Sequence, residues 1–285
     1  MDIGIGLPNA VRGAEGAAIV EWARRADDAG FSTLGTIDRI VYPNYESLVS
    51  LAAAAAVTER IRLLTSILLA PLRPAALLAK QAASVDNISG GRLDLGLAVG
   101  GRPDDYSTTG EPFEQRGATF DRQLEEMREL FSGAERGDGY PVVPEPVRDG
   151  GPRIILGGQS APAFRRAARY GAGWMQGGGG PDAFAEALPK LRDAWSEAGR
   201  DGEPVKMALV YFALGDNAEE DARQSLGDYY AFLGEYTDMV VESALKSPEA
   251  IKDAVSTYEG HGCDELVLFP ASADPGQVDL LREAL

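Results

Sequence analysis

Strand-like and helix-like runs alternate along almost the whole chain, and this alternation constrains the fold more than any other feature. Apolar runs with strand character lie at residues 2–7, 33–37, 62–70, 93–99, 153–157, 173–177, 205–214 and 265–270. Helical patterns occupy roughly 15–29, 45–58, 74–88, 115–132, 161–170, 181–198, 217–243 and 275–284. A strand that is followed by a helix and then another strand builds a parallel sheet, because a parallel neighbour is reached only by a crossover. Eight such units in 285 residues match the size of a (β/α)8 barrel. An open doubly wound sheet is the runner-up. It would place G-x-G-x-x-G after its first strand, where this chain reads "GLPNAVRG". The expected fold is therefore α/β, a (β/α)8 TIM barrel forming one domain over residues 1–285. Residues 133–152, rich in Gly, Pro and charge, read as an insertion between the fourth helix and the fifth strand. Gly30, after "RRADDA", suits the left-handed turn that ends a helix.

Charge and rare residues narrow the function. With 44 acidic and 27 basic residues the formal charge is −17, which repels nucleic-acid phosphates and anionic membrane surfaces. The expected partner is a small-molecule substrate, with no nucleic acid and no membrane. No basic leader precedes an apolar run, and no stretch reaches the ~18 apolar residues of a bilayer span; a cytoplasmic protein is expected. The chain has one histidine, His261, and one cysteine, Cys263. They exclude an internal disulfide and cysteine- or histidine-rich metal sites, so no metal is expected. In "GHGCDELVLF" the histidine reads as a loop residue before a strand.

A barrel of this kind carries its site at the C-terminal ends of its strands. Those ends hold Asp38 and Arg39, Ser66 and Ile67, Val99 to Arg102, Gly157 to Ser160, and Gln176 to Gly180. The rim is rich in glycine and has no nucleophile beside a base, which leaves hydrolysis little to use; it suits a large planar cofactor held by backbone. The segment "RIILGGQSAPAFRRAARYG" (153–171) has two readings by itself: a phosphate cradle at a helix N-terminus, or a tight strand-to-helix turn. Its place after the fifth strand of a barrel adds weight to the phosphate. Arg165, Arg166 and Arg169 follow on the helix, at a spacing that keeps them from all facing the loop.

Four segments carry a family resemblance. They are "ISGGRLDLGLAVGGRPDDYSTTGEPFEQRGATFDRQLEEMRELF" (88–131), "LLTSILLAPLRPAALLAKQAASVD" (63–86), "GGQSAPAFRRAARYGAGW" (157–174) and "GCDELVLFPASADP" (262–275). On them the chain resembles the bacterial-luciferase-like flavin and deazaflavin oxidoreductases, over nearly its whole length. The resemblance implies FMN or coenzyme F420 as cofactor, with its phosphate on Gly157, Gly158, Gln159 and Ser160. It implies a bulge at Ser66–Ile67, often with a non-proline cis peptide, behind the cofactor ring, and Ala98, Val99 and Gly100 flanking ring and ribityl chain. Asp38 matches a polar position near the ring in some deazaflavin members. Asp38 and Arg39 are the catalytic candidates, and Arg102 and Tyr106 the substrate-binding ones.

Two departures stand out. Arg39 replaces a histidine found in many members, and a guanidinium cannot shuttle protons near neutral pH. Gly101 replaces a glutamate of some deazaflavin sugar dehydrogenases, so their acid/base pair is absent. The implied activity is that of a coenzyme F420-dependent reductase or dehydrogenase, or an FMN-dependent monooxygenase, on a small organic substrate. The alternative is a non-catalytic flavin-binding paralogue or partner subunit. Arg39 has a second reading as a salt-bridge partner of Asp38, Asp104 or Asp105, and the Asp104–Asp105 pair as a cap. The substrate pocket is expected from residues 100–114, 133–152, 177–181 and 228–245. The Ala-rich second helix (51–56) suits close packing within the shell or in a homodimer.

Overall fold

The computed structural model describes residues 1–285. Its strands are β1 (Asp2–Gly6), β2 (Thr33–Thr36), β3 (Arg62–Thr65, resuming at Leu68–Leu69), β4 (Leu93–Ala98), β5 (Arg153–Gly157), β6 (Gly173–Gln176), β7 (Val205–Phe212) and β8 (Glu265–Pro270). They pair in parallel in the order β3-β2-β1-β8-β7-β6-β5-β4, and β3 pairs with β4 to close the barrel. Around it lie α1 (Gly16–Asp28), α2 (Ser47–Ala55), α3 (Ala75–Ser89), α4 (Pro103–Thr109), α5 (Arg116–Phe131), α6 (Ala161–Tyr170), α7 (Gly180–Glu197), α8 (Ala218–Tyr229), α9 (Thr237–Glu242), α10 (Pro248–Gly260) and α11 (Gly276–Ala284). The expected (β/α)8 barrel is the observed fold. No helix is long and apolar enough to cross a membrane.

Strand alternation divides the core. On β8, Leu266 and Leu268 face the helices, whereas Val267 and Phe269 fill the barrel beside Leu64, Ile155, Met175 and Met207. Small residues on β1 and β2 make room for the Phe269 ring: a Cβ at Gly35 would stand 2.7 Å from it. The last turn of α1 ends at Gly30, which adopts φ +80°.

The third strand is interrupted at Ser66–Ile67, whose peptide bond is cis, as the resemblance implied. Three details depart from the sequence reading. The single helix read at 217–243 is α8, a 3-10 segment at Ala231–Tyr236 and α9, broken at Gly234 with φ 58° and ψ −123°. Helix α10 was not anticipated, although "SPEA" encodes its start: the Ser247 side chain accepts the Ala250 amide at 3.2 Å, and Pro248 opens the helix. Residues 133–152 do not roof the strand ends. They form a short hairpin, and Arg148 reaches the opposite end of the barrel, donating to the Leu93 carbonyl at 2.9 Å and lying 3.7 Å from Asp86. Its two acidic partners, Asp86 and Asp94, sit at that lower face and hold the insertion there.

Candidate active site

The C-terminal ends of the strands surround a cavity of about 360 Å³. Its floor combines glycines with small and apolar side chains. Ser66, Ile67, Ala98, Gly100, Gly157 and Gly158 line it, and their approach requires the glycines. A Cβ at Gly157 would run into the Ile67 side chain and stand 3.4 Å from Ala98. Gly100 takes φ +72°, where a Cβ would lie 2.9 Å from Leu69. Val99 is turned away: its side chain packs on the core, and the buried Tyr106 hydroxyl donates to its carbonyl.

Beyond the floor, β5 leads through Ser160 into α6. The amides of Gln159, Ser160 and Ala161 meet no protein acceptor, so the helix N-terminus presents N–H groups and partial positive charge. Gln159 and Ser160 are exposed and lie outside the cavity wall; the Gln159 side chain donates to the Gly178 carbonyl at 2.9 Å. Two of the following arginines are engaged elsewhere, Arg166 with Asp121 at 2.6 Å and Arg169 with Glu125 at 2.8 Å.

The catalytic candidates are held in ion pairs. Asp38 is buried and accepts both Arg73 Nη1 and Nη2 at 2.8 Å and the Leu69 amide at 2.9 Å. Both its oxygens are therefore engaged, tying Asp38 to Arg73 and to the resumed part of β3. Arg39 pairs not with Asp38 but with Asp105 at 2.8 Å and Asp104 at 3.2 Å. Asp105, in the first turn of α4, also accepts the amides of Ile40 and Val41 at 3.0 and 2.7 Å. It thus ties the β2 loop to the β4 loop. Burial pushes the Asp104 carboxyl up, but Arg102 and Arg39 outweigh this and hold it below its ordinary value.

Of the substrate-binding candidates, Arg102 lines the cavity, its guanidinium 3.7 Å from the centre of the Phe232 ring. Tyr106 does not. It is buried beneath the loop, its phenol pushed up by burial to about 12. Helix α4 turns it inward, where its ring meets Phe113 edge-on.

The sequence reading missed an aromatic wall made by Tyr211, Tyr229, Tyr230 and Phe232. Tyr211 and Tyr230 share a hydroxyl–hydroxyl hydrogen bond of 2.8 Å. Burial pushes the phenols of Tyr211, Tyr229 and Tyr230 upward, so all three are neutral donors at physiological pH. The dipeptide Tyr229–Tyr230 at the end of a mostly polar helix was the available signal, and it falls in the 228–245 segment expected at the pocket. A second cavity of about 540 Å³ lies behind this wall and shares Gly177, Leu209, Tyr211 and Tyr230 with the first. No group of three or more His, Cys, Asp or Glu side chains is arranged to hold a metal ion.

A barrel whose strand ends combine a glycine-rich floor, open loop amides and an aromatic wall also has relatives. An uncharacterised protein of Mycobacterium tuberculosis is 34% identical over 208 residues, which is 62% of this chain and 71% of that protein. The FMNH(2)-dependent dimethylsulfone monooxygenase of Pseudomonas putida is 28% identical over 75% of this chain and 63% of its own length. Among solved structures, the monooxygenase RslO1 from Streptomyces bottropensis superposes with a TM-score of 0.81 at 24% identity, covering 100% of this chain and 98% of its own. An F420-dependent secondary alcohol dehydrogenase in complex with an F420-acetone adduct superposes with a TM-score of 0.80 at 19% identity, with the same coverage of 100% and 98%. These last two likenesses concern the fold. Residues 1–264 match the family model described as luciferase-like monooxygenase, and the chain belongs to that family.

Proposed function

We propose that the chain is an oxidoreductase that holds FMN or coenzyme F420 across the strand ends and acts on a small organic substrate. The observation that carries this reading is the cavity at the strand ends, floored by glycines and small or apolar residues and followed by a helix N-terminus whose amides meet no protein acceptor. Beside it, Ser66 Oγ is buried with no protein partner, as a hydroxyl reserved for a ligand would be. The groups present fit such a cofactor. Ser66, Ile67, Ala98 and Gly100 would hold its ring and ribityl chain, and Gly157 and Gly158 with the amides of Gln159, Ser160 and Ala161 at the α6 N-terminus would take its phosphate. The bound cofactor supplies hydride transfer or oxygen activation at its ring. Tyr211, Tyr229, Tyr230 and Phe232 exclude water from the open side and shape the substrate space.

Titration of the purified protein with FMN, anaerobic reduced FMN and coenzyme F420, followed by fluorescence and calorimetry, tests the reading. Tight binding of F420 directs the activity to reductions or dehydrogenations, and preference for reduced FMN to monooxygenation. Binding of none of them overturns the proposal. The commitment of both Asp38 and Arg39 to ion pairs favours a second reading, a non-catalytic cofactor-binding paralogue or partner subunit. Any turnover by the cofactor-loaded protein on a substrate panel removes it.

A further inference from the structure

Arg39 carries one nitrogen that the fold does not use. Its Nε donates to Asp105 at 2.8 Å, and Nη2 donates to the Val41 carbonyl at 3.0 Å and to Asp104 at 3.2 Å. A guanidinium has five N–H donors, so these bonds leave the two on Nη1. Nη1 is buried and has no partner, the side chain is 3% exposed, and Arg39 lines the cavity. A buried charged donor without an acceptor is costly. The same bonds that commit Nε and Nη2 fix where Nη1 stands, with the Tyr229 ring 5.8 Å from the guanidinium carbon.

We infer that Arg39 Nη1 recognises a carbonyl oxygen on a neutral, planar substrate, an inference that rests on the cavity being the substrate site proposed above. Neutrality follows from the surrounding charges. Three guanidiniums, those of Arg39, Arg73 and Arg102, are paired with four carboxylates, those of Asp38, Glu46, Asp104 and Asp105. The cluster has no excess positive charge, so a carboxylate substrate would meet repulsion that a ketone, aldehyde or amide oxygen avoids. Planarity follows from the wall: Tyr229, Tyr230 and Phe232 offer ring faces and edges. Because a guanidinium keeps its protons, Arg39 holds and polarises the carbonyl and does not act as acid or base.

The probes are acetophenone, ethylbenzene and benzoate, titrated calorimetrically into the protein with and without FMN or coenzyme F420. Wild type is expected to bind acetophenone at least about tenfold more tightly than ethylbenzene, which lacks only the oxygen, and more tightly than benzoate. Equal affinity for acetophenone and ethylbenzene overturns the inference, as does a preference for benzoate. Arg39→Lys keeps the charge opposite Asp105 but loses the fork, and Arg39→Gln combined with Asp105→Asn removes both charges together. In whichever of these melts cooperatively, the acetophenone advantage should disappear while cofactor affinity stays within about threefold of wild type. Loss of cofactor affinity with the acetophenone advantage intact assigns Nη1 to the cofactor and overturns the inference. Failure of wild type to bind any cofactor overturns the functional proposal instead, and the cofactor-free titration still decides the carbonyl preference.

Discussion

Both ends of the barrel bury arginines against carboxylates, but only one end sets unpartnered donors on residues that line a cavity. At the lower end, Asp94 is 1% exposed and accepts Arg153 Nε at 3.0 Å, with Arg62 and Arg148 within 3.9 and 3.8 Å. Its neighbours Asp86 Oδ2 and Arg148 Nε lack hydrogen-bond partners, but they belong to groups that stand 3.7 Å apart as an ion pair. At the upper end, Arg39 Nη1 and Ser66 Oγ also lack partners, and both residues line a cavity of about 360 Å³. Burial and pairing look alike at the two ends. What separates a structural cluster from a candidate binding site is whether the residue that carries the unpaired atom also lines a cavity.

This contrast predicts opposite responses to substitution. Asp94→Ala should have the largest effect, because it leaves three guanidiniums around a buried vacancy: a loss of about 3–5 kcal/mol in denaturant unfolding, with cofactor affinity unchanged wherever the variant is folded. A loss below about 1 kcal/mol would mean that the lower cluster is not structural. Cys263, buried at the same end, gives a pH signature. Burial pushes its thiol from the ordinary 9.0 up to about 12. The unfolded chain therefore releases this proton first as pH rises, and stability falls between about pH 9 and 12. At pH 10 wild type should have lost about 1 kcal/mol more than Cys263→Ala, relative to pH 8, and the native thiol should resist alkylation at pH 8.

At the upper end, Ser66→Ala removes a hydroxyl that bonds nothing in the protein, so stability should stay within about 0.5 kcal/mol. Cofactor affinity, by contrast, should fall about five- to tenfold. A stability loss with unchanged affinity would reverse the assignment. The smallest effect is expected at the exposed hairpin: Tyr140→Ser should move neither stability nor cofactor affinity measurably, since Tyr140 is 73% exposed and far from the strand ends.

The legibility of the two ends from sequence also differs. The barrel was readable because every strand is a short apolar run between helices, and even the interruption at Ser66–Ile67 fell where the family resemblance placed it. The strand-to-helix turn at 157–160 was readable because "GGQS" precedes a helix. Pairings between distant segments were not. Nothing in "IDR" says that Asp38 will be taken by Arg73, 35 positions on, or Arg39 by Asp105, 66 positions on. Tyr106 could not be told from a surface tyrosine until α4 set its direction. The insertion misled because Gly and Pro mark a loop without saying which end of the barrel it covers; Arg148, drawn to Asp86 and Asp94, decides that. The aromatic wall was half legible: its segment was named, but Tyr211 comes from β7, and only closure of the barrel brings it to Tyr230.

The central claim is that the upper end holds the phosphate of a flavin-type cofactor at the start of α6. Its most direct test is the thermal shift of wild type and Ser160→Asp in the presence of FMN and of coenzyme F420. Ser160 is exposed and its side chain makes no cap hydrogen bond, so the substitution should leave the unliganded melting temperature unchanged or slightly raised, since a carboxylate suits a helix N-terminus, while placing a negative charge in the loop. The account predicts that at least one cofactor raises the wild-type melting temperature, and that Ser160→Asp loses most of that rise through an affinity drop of about tenfold or more. An equal rise in both proteins, or none in wild type, would contradict it.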